Sequence, residues 1–273
     1  MSLSGIKERK LNIFELFAAS VGLFSRKLPW LLQHTLTIHL PYAILTTVLF
    51  GTLALDFLQY QGVDPQSLDP SVSAEIMQKT LMFYGALVVV AFFYFPLSCT
   101  PLAYLSEGEI EGRSVGYFEA LRLTFSKYVK LLLAELRVSL VSIPFALLLI
   151  VGILIPAFNY SLFPFALALR EHVEPDSLKY SHSRIVKAIP LKMSASYIFA
   201  GIVTGIVAYW FVPLVLTAIG LNGIVLMGEA GSPVTLGFVV GNTVGFLIWS
   251  VFQFNQILLF LNTDYIQARA AAK

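Results

Sequence analysis

Long stretches of this chain carry almost no charge, and that feature limits the fold more than any other. Residues 31–55 carry no charged side chain and hold only Gln33, His34 and His39 as strongly polar ones, and 80–105, 194–219 and 236–261 are similarly apolar. A fifth tract, 131–169, is interrupted only by Glu135 and Arg137 near its start. A membrane crossing takes about 20 apolar residues at roughly 1.5 Å each. Inside hydrocarbon every backbone N–H and C=O must be satisfied within the protein, which leaves helices or closed barrels. A barrel needs alternating segments of about ten residues, and these runs are continuous. The 131–169 tract is too long for one crossing and predicts two, 131–151 and 153–169, turning near Gly152 and Pro156. Pro213 predicts a kink in the span at 194–219. The expectation is an all-α integral membrane protein with six transmembrane helices, forming one polytopic domain over 1–273.

Composition agrees. Charged residues make up 12% of the chain and hydrophobic residues 57%, with a mean hydropathy of +0.78. A soluble domain carries about 25% charged residues to coat its surface. The formal net charge of +2 is too small to argue for nucleic acid. The N-terminal residues before Lys10 are polar and basic, with no cleavage site after them, so no cleaved signal peptide is expected.

Charge also gives orientation. With six spans, every lysine and arginine except Lys79 falls on one side, while Asp56, Asp64, Asp69, Glu75 and Glu229 fall on the other. Basic residues stay cytoplasmic, so both termini are expected in the cytoplasm. A single crossing over 131–169 would strand the basic segment 170–192 outside.

Each odd-numbered span follows a basic amphipathic segment. The first opens at Asn12 and places Ile13, Phe14, Phe17, Val21, Phe24 and Leu28 on one helical face. The second opens at Tyr117, with Phe118, Leu121, Phe125, Tyr128 and Leu132; the third opens at Ser177, with Leu178, Ser181, Ile185 and Ile189. Without gaps, Phe17, Leu121 and Leu178 align, as do Ser20, Thr124 and Ser181, then Phe24, Tyr128 and Ile185, then Arg26, Lys130 and Lys187. The predicted unit, used three times, is an interfacial amphipathic helix followed by two spans. Such helices bury an apolar face at the headgroup boundary and present cations to anionic lipid. The alternative is that these segments are the cytoplasmic ends of long membrane helices.

Catalytic chemistry is hard to find. His34, His39, His172 and His182 form no close ligand set, and no phosphate-binding loop, dinucleotide fingerprint or nucleophile elbow appears. No catalytic residue, metal site or cofactor is expected. The only cysteine, Cys99, reads as a small buried hydrophobe. Glu107, Glu109 and Glu111 read as a solvated cytoplasmic turn. Gly201, Gly205 and Gly220 read as helix-packing positions. Ionisable groups deep in a bilayer mark function, and here only Glu135 and Arg137 qualify. Arg137 lies seven residues past Lys130, roughly 10 Å deeper along a helix, and can snorkel back to the headgroups. The last span holds the most interior polarity. Asn242, Trp249, Gln253 and Gln256 share one helical face, and Asn255 and Asn262 another. Buried amides must find partners, either as interhelical glue or as a patch for a lipid headgroup or small solute. Asn242, Gln253, Gln256, Arg137 and Glu135 are therefore the candidate ligand-binding residues.

Three segments carry a likeness to a known family. They are the amphipathic opening with its Arg26–Lys27 exit, FPFALALREHVEPDSLKYSHSRIVKAIPLK from Phe163, and LFLNTDYIQAR from Leu259. Together they resemble the bacterial six-span membrane domain fused to some glycerophosphoryl diester phosphodiesterases, and its stand-alone uncharacterised inner-membrane relatives. The resemblance implies a bacterial inner membrane and lipid-related work. It brings no catalytic residues, and the chain has no room for the phosphodiesterase's soluble domain. The expected function is a non-enzymatic inner-membrane protein in lipid or envelope handling, or the membrane partner of another protein. The alternative is a transporter or permease subunit for a small or amphiphilic solute. Expected partners are membrane phospholipids and another protein or a second copy of the chain, with no nucleic acid.

Overall fold

The computed structural model describes residue 3 and residues 5–53, 69–146, 160–170, 177–227 and 234–272. The expected turn at Gly152 and Pro156, the first part of the span 153–169, most of the acidic loop 56–79, and residues 171–176 and 228–233 lie outside them.

Nearly all described residues are helical. The helices are α1 Gly5–Glu8, α2 Ile13–Arg26, α3 Leu28–His34, α4 Leu40–Leu53, α5 Pro70–Glu111, α6 Tyr117–Ala146, α7 Phe163–Arg170, α8 Ser177–Tyr180, α9 Pro190–Ile206, α10 Val212–Ala218 and α11 Leu236–Ala271. One antiparallel pair interrupts them, β1 Val225–Met227 with β2 Val234–Thr235, in the register Val225↔Thr235 and Met227↔Val234. Gly112 and Gly220, at φ 75° and 79°, take the left-handed conformation just past the ends of α5 and α10.

Among the described residues, three helical stretches are long and apolar enough to cross a membrane: Pro70–Glu111, Pro190–Ala218 and Leu236–Ala271. The first has 42 residues and the last 36. At about 1.5 Å per residue both exceed a hydrocarbon core of roughly 30 Å and must emerge from it. Their flanks differ. Only 6% of the most apolar stretch of α5 is buried within the protein, against 61% for α11. Leu81, Met82, Val88, Val89 and Phe93 on α5, Leu133, Leu136 and Leu140 on α6, and Ile198, Ile202 and Ile206 on α9 are large exposed hydrophobics. An apolar surface of that extent needs a partner other than water.

The chain forms two compact units. One comprises Met1–His34, Phe95–Gly205 and Ile248–Lys273. Its core includes Leu16, Leu23, Leu102, Leu105, Phe165, Phe254 and Phe260, all but inaccessible. The other comprises Thr35–Tyr94 and Ile206–Leu247. Here Tyr42 stacks on Tyr94 at 3.7 Å between ring centroids, and Phe246 meets both.

Prolines decide where the amphipathic segments break. Helix α2 is opened by Asn12, whose side chain accepts the Glu15 N–H while Glu15 accepts the Asn12 N–H, a reciprocal cap. It ends at Arg26, and α3 starts at Leu28 with Pro29 beside it. In the alignment Pro29 falls opposite Pro190, which opens α9 after a short 3₁₀ turn, Val186–Ala188. The second segment has Leu133 at that position and runs unbroken as α6 for 30 residues. The expectation of a separate interfacial helix is therefore corrected there. Proline lacks the N–H that would continue a preceding helix and suits the first turn of a new one.

Prolines also explain two π-helical turns. Thr35–His39 stands two residues before Pro41, and Val207–Phe211 two residues before Pro213. The wider turn accommodates a ring that would otherwise strike the carbonyl four residues back. The kink expected at Pro213 thus takes the form of a π turn.

Helix α2 packs through a face other than the apolar one read from the sequence, as a helix with that face at the headgroup boundary would. Leu16, Ala19, Ser20 and Leu23 are buried, whereas Phe14 is 70% and Val21 43% exposed. Phe14 and Val21 point outward, while Leu16 and Leu23 point inward with the small Ala19 and Ser20. Ser20, Thr124 and Ser181, which align, are all fully buried. Ser20 Oγ donates to the Leu16 carbonyl at 2.7 Å and Thr124 Oγ1 to the Ala120 carbonyl at 2.9 Å.

Candidate functional site

The polar residues of α11 divide between two tasks. Asn255 Nδ2 donates to Ser196 Oγ on α9 at 2.8 Å. Asn262 Nδ2 donates to the carbonyls of Ile6 and Arg9, each at 2.8 Å, and its Oδ1 accepts the Leu11 N–H at 3.1 Å. Both asparagines are buried. They hold helices and the N-terminal segment together, as amides do where water is absent.

Gln253 and Gln256 do something else. They line a cavity of about 420 Å³ with Glu135 from α6, Cys99 from α5, and Tyr160 and Ser161 just before α7. The volume lies within the range of small-ligand sites, about 300–1,000 Å³. Aromatic rings wall it. Trp249 and Phe252 lie 4.4 Å apart, and Tyr197 meets Phe252 edge-on at 5.6 Å and donates its hydroxyl to Ser161 Oγ at 2.9 Å. Glu135 Oε2 and Gln253 Oε1 are buried without a hydrogen-bond partner among the described residues. A buried polar group left unmatched costs about 1–3 kcal/mol. An amide oxygen accepts, as does a carboxylate in its ionised form, so a hydrogen-bond donor, and above all a cationic one, would complement this cavity.

The five candidate residues are thus sorted. Glu135, Gln253 and Gln256 meet in one cavity. Arg137 is exposed and does not line it, since residues i and i+2 leave a helix on different sides. Asn242 lines a different cavity of about 450 Å³ in the other unit, with Asn222 and Thr235. Sequence reasoning missed Tyr160, Ser161 and Cys99 as neighbours of Glu135, because their approach depends on how α5, α6 and α7 pack.

It also missed a cluster of charges. Arg170 Nε donates to Asp264 Oδ2 at 2.7 Å and Nη1 to Glu107 Oε1 at 2.5 Å. The three side chains are 12%, 5% and 13% exposed. The Tyr180 hydroxyl donates to the other Asp264 oxygen, and the guanidinium lies 5.6 Å from the centre of the Tyr265 ring. Burial alone would lower the Arg170 pKa, but the two carboxylates more than offset it and hold the guanidinium's value above normal. Glu107, Glu109 and Glu111 are accordingly not a solvated turn. They continue α5, and Glu109 pairs with Lys27 at 2.5 Å and Glu111 with Arg113 at 2.6 Å. The cluster is satisfied from every side, so it locks helix ends rather than awaiting a ligand.

No known protein family, curated protein or solved structure matches the chain. The functional reading therefore rests on the chain's own chemistry. His34 Nε2 faces the Ser98 carbonyl at 3.1 Å, and His39 Nδ1 faces the Tyr94 hydroxyl at 2.6 Å, so both rings serve packing. Cys99 is buried and free.

Proposed function

We propose that this is a non-enzymatic six-span protein of the bacterial cytoplasmic membrane, with both termini inside, that binds an amphiphile bearing hydrogen-bond donors in lipid or envelope handling. The observation that carries the binding role is the pair of orphaned acceptors, Glu135 Oε2 and Gln253 Oε1, at one aromatic-walled cavity. An ammonium or polyol headgroup would satisfy both, and its apolar part would lie against Trp249 and Phe252. The placement of basic residues supports six spans and the inward termini. The buried hydroxyl residues at three aligned positions support a threefold repeat. The likeness to the phosphodiesterase-linked membrane domain is a proposal of the same kind, and a lipid-facing role agrees with it.

A solute permease is the second reading. It draws on the π-helical turns at Thr35–His39 and Val207–Phe211, since such irregular turns often accompany functional movement.

The test is native mass spectrometry of the full chain extracted in mild detergent, comparing wild type with Gln253→Leu/Gln256→Leu. Wild type should retain a bound amphiphile and the variant should lose it while remaining folded. Unchanged bound lipid with a lowered melting temperature would show these glutamines to be structural. Uptake of solute into proteoliposomes would favour the permease.

A further inference from the structure

A second cavity, about 450 Å³, lies where the start of α2, the start of α9 and the end of α11 meet. Its polar lining includes Lys10, Asn12, Lys192, Asn262, Thr263 and Gln267. The nearest carboxylate and amide make their close hydrogen bonds elsewhere, and Glu15 acts on Lys192 only through space. Glu15 is held by Arg9 at 2.6 and 3.1 Å and by the Asn12 N–H at 2.8 Å. Asn262 is occupied by Ile6, Arg9 and Leu11, and Lys192 Nζ reaches its Oδ1 only at 3.5 Å. Neither Lys10 nor Lys192 forms an ion pair among the described residues. Two cations therefore line one concavity, and among the described residues no anion lines it with them.

The surroundings say which anion fits. Lys192 stands in the first turn of Pro190–Ala218, one of the stretches able to cross a membrane. The next residue back, Leu191, is 85% exposed, and Phe14, which lines the cavity, is 70% exposed. Cations beside bare apolar side chains at the end of a spanning helix match the boundary between headgroups and acyl chains. A free anion would satisfy the lysines and leave Phe14 and Leu191 uncovered.

We propose that this cavity is a headgroup site for an anionic phospholipid of the cytoplasmic leaflet, its phosphate between Lys10 and Lys192 and an acyl chain along Phe14. The site rests on the membrane placement proposed above, but not on the Glu135 cavity.

The full chain would be delipidated in mild detergent and titrated with phosphatidylglycerol or phosphatidylcholine, with bound lipids counted by native mass spectrometry. Each lysine near an anionic headgroup is worth roughly a fivefold gain in binding. Wild type should therefore bind its first phosphatidylglycerol about tenfold or more tightly than phosphatidylcholine. Lys10→Gln/Lys192→Gln should reduce that preference to within about threefold, whereas Lys10→Arg/Lys192→Arg and the charge-matched control Arg26→Gln/Arg122→Gln should keep it. Lys10→Gln alone, at an exposed residue, carries the test should the double variant fail to fold. An unchanged preference in the glutamine variants would overturn the proposal. So would an equal loss in the control, which would mean diffuse charge attraction, or displacement of the lipid by an equimolar amount of inorganic phosphate, which would mean a soluble ligand. The Gln253→Leu/Gln256→Leu protein should bind phosphatidylglycerol normally, so failure at one cavity is distinguishable from failure at the other.

Discussion

Replacing Arg170 by methionine removes the cation that joins Glu107 to Asp264. Asp264 is 5% and Glu107 13% exposed, so neither can recover its hydration without local unfolding. The loss covers two charge-assisted bonds, at 2.7 and 2.5 Å, and leaves like charges facing each other. Breaking a buried ion pair from one side costs about 3–5 kcal/mol. Asp264→Asn should cost about 1–2 kcal/mol, because Arg170 keeps Glu107 and the Tyr180 hydroxyl keeps an oxygen acceptor. Adding Glu107→Gln and Asp264→Asn to Arg170→Met should recover part of the loss, since desolvated charges would no longer stand unpaired. The assay is reversible unfolding of the full chain in mixed micelles with increasing denaturing detergent, followed by circular dichroism. If Arg170→Met loses less than about 1 kcal/mol, a value typical of solvated surface pairs, the reasoning from burial is wrong.

Asn262→Ala should release the N-terminal segment, costing about 2–3 kcal/mol for three hydrogen bonds at roughly 1 kcal/mol each, and hydrogen exchange should quicken at Leu11; Asn255→Ala, with one close partner, should cost about 1 kcal/mol. The Glu15 carboxyl is held below its ordinary value, chiefly by its hydrogen bonds to the Arg9 guanidinium and the Asn12 N–H. Its contribution to the α2 cap should be complete above the unfolded value of about 4.3 and be lost as pH falls through the lower folded value, seen as faster exchange of the Asn12 amide in acid. In a Cys99→Ala background, single cysteines at positions 107–113 should resist an impermeant thiol reagent applied to whole cells, and those at 69–75 should react; labelling of the first set would overturn the six-span orientation.

The membrane-length helices at 80–105, 194–219 and 236–261 were legible because hydropathy depends on residue type alone. The paired tasks of α11 were half legible. Asn255 and Asn262 fall on one helical face and Gln253 and Gln256 on another, but only packing decides which face meets a neighbour. Glu135 stood out as a deep acid, whereas its cavity partners Cys99 and Ser161 look like ordinary small residues in apolar runs. Arg170 was read as one more cytoplasmic cation, because its burial comes from residues 63 and 94 positions away. The apolar face of α2 was read as facing the headgroup boundary, and Phe14, Val21 and Leu28 on it do stay out of the protein's core. In lipid the bulky side chains need not be the buried ones, so a hydrophobic stripe no longer identifies the packed side.

The clasp at Asn262 ties the protein's assembly to the order of its synthesis. Ile6 and Leu11 are made among the first residues of this sequence, but the amide they bind lies 256 and 251 positions later. At a translation rate of about 5–20 residues per second, that interval lasts on the order of 10–50 s. Throughout it the N-terminal strap has no Asn262 to grip, and the membrane surface is the nearest shelter for Phe14. Closure of the strap then reports that the final helix has been inserted in the correct register. A chain stopped before Asn262 would leave that strap loose and open to proteolysis.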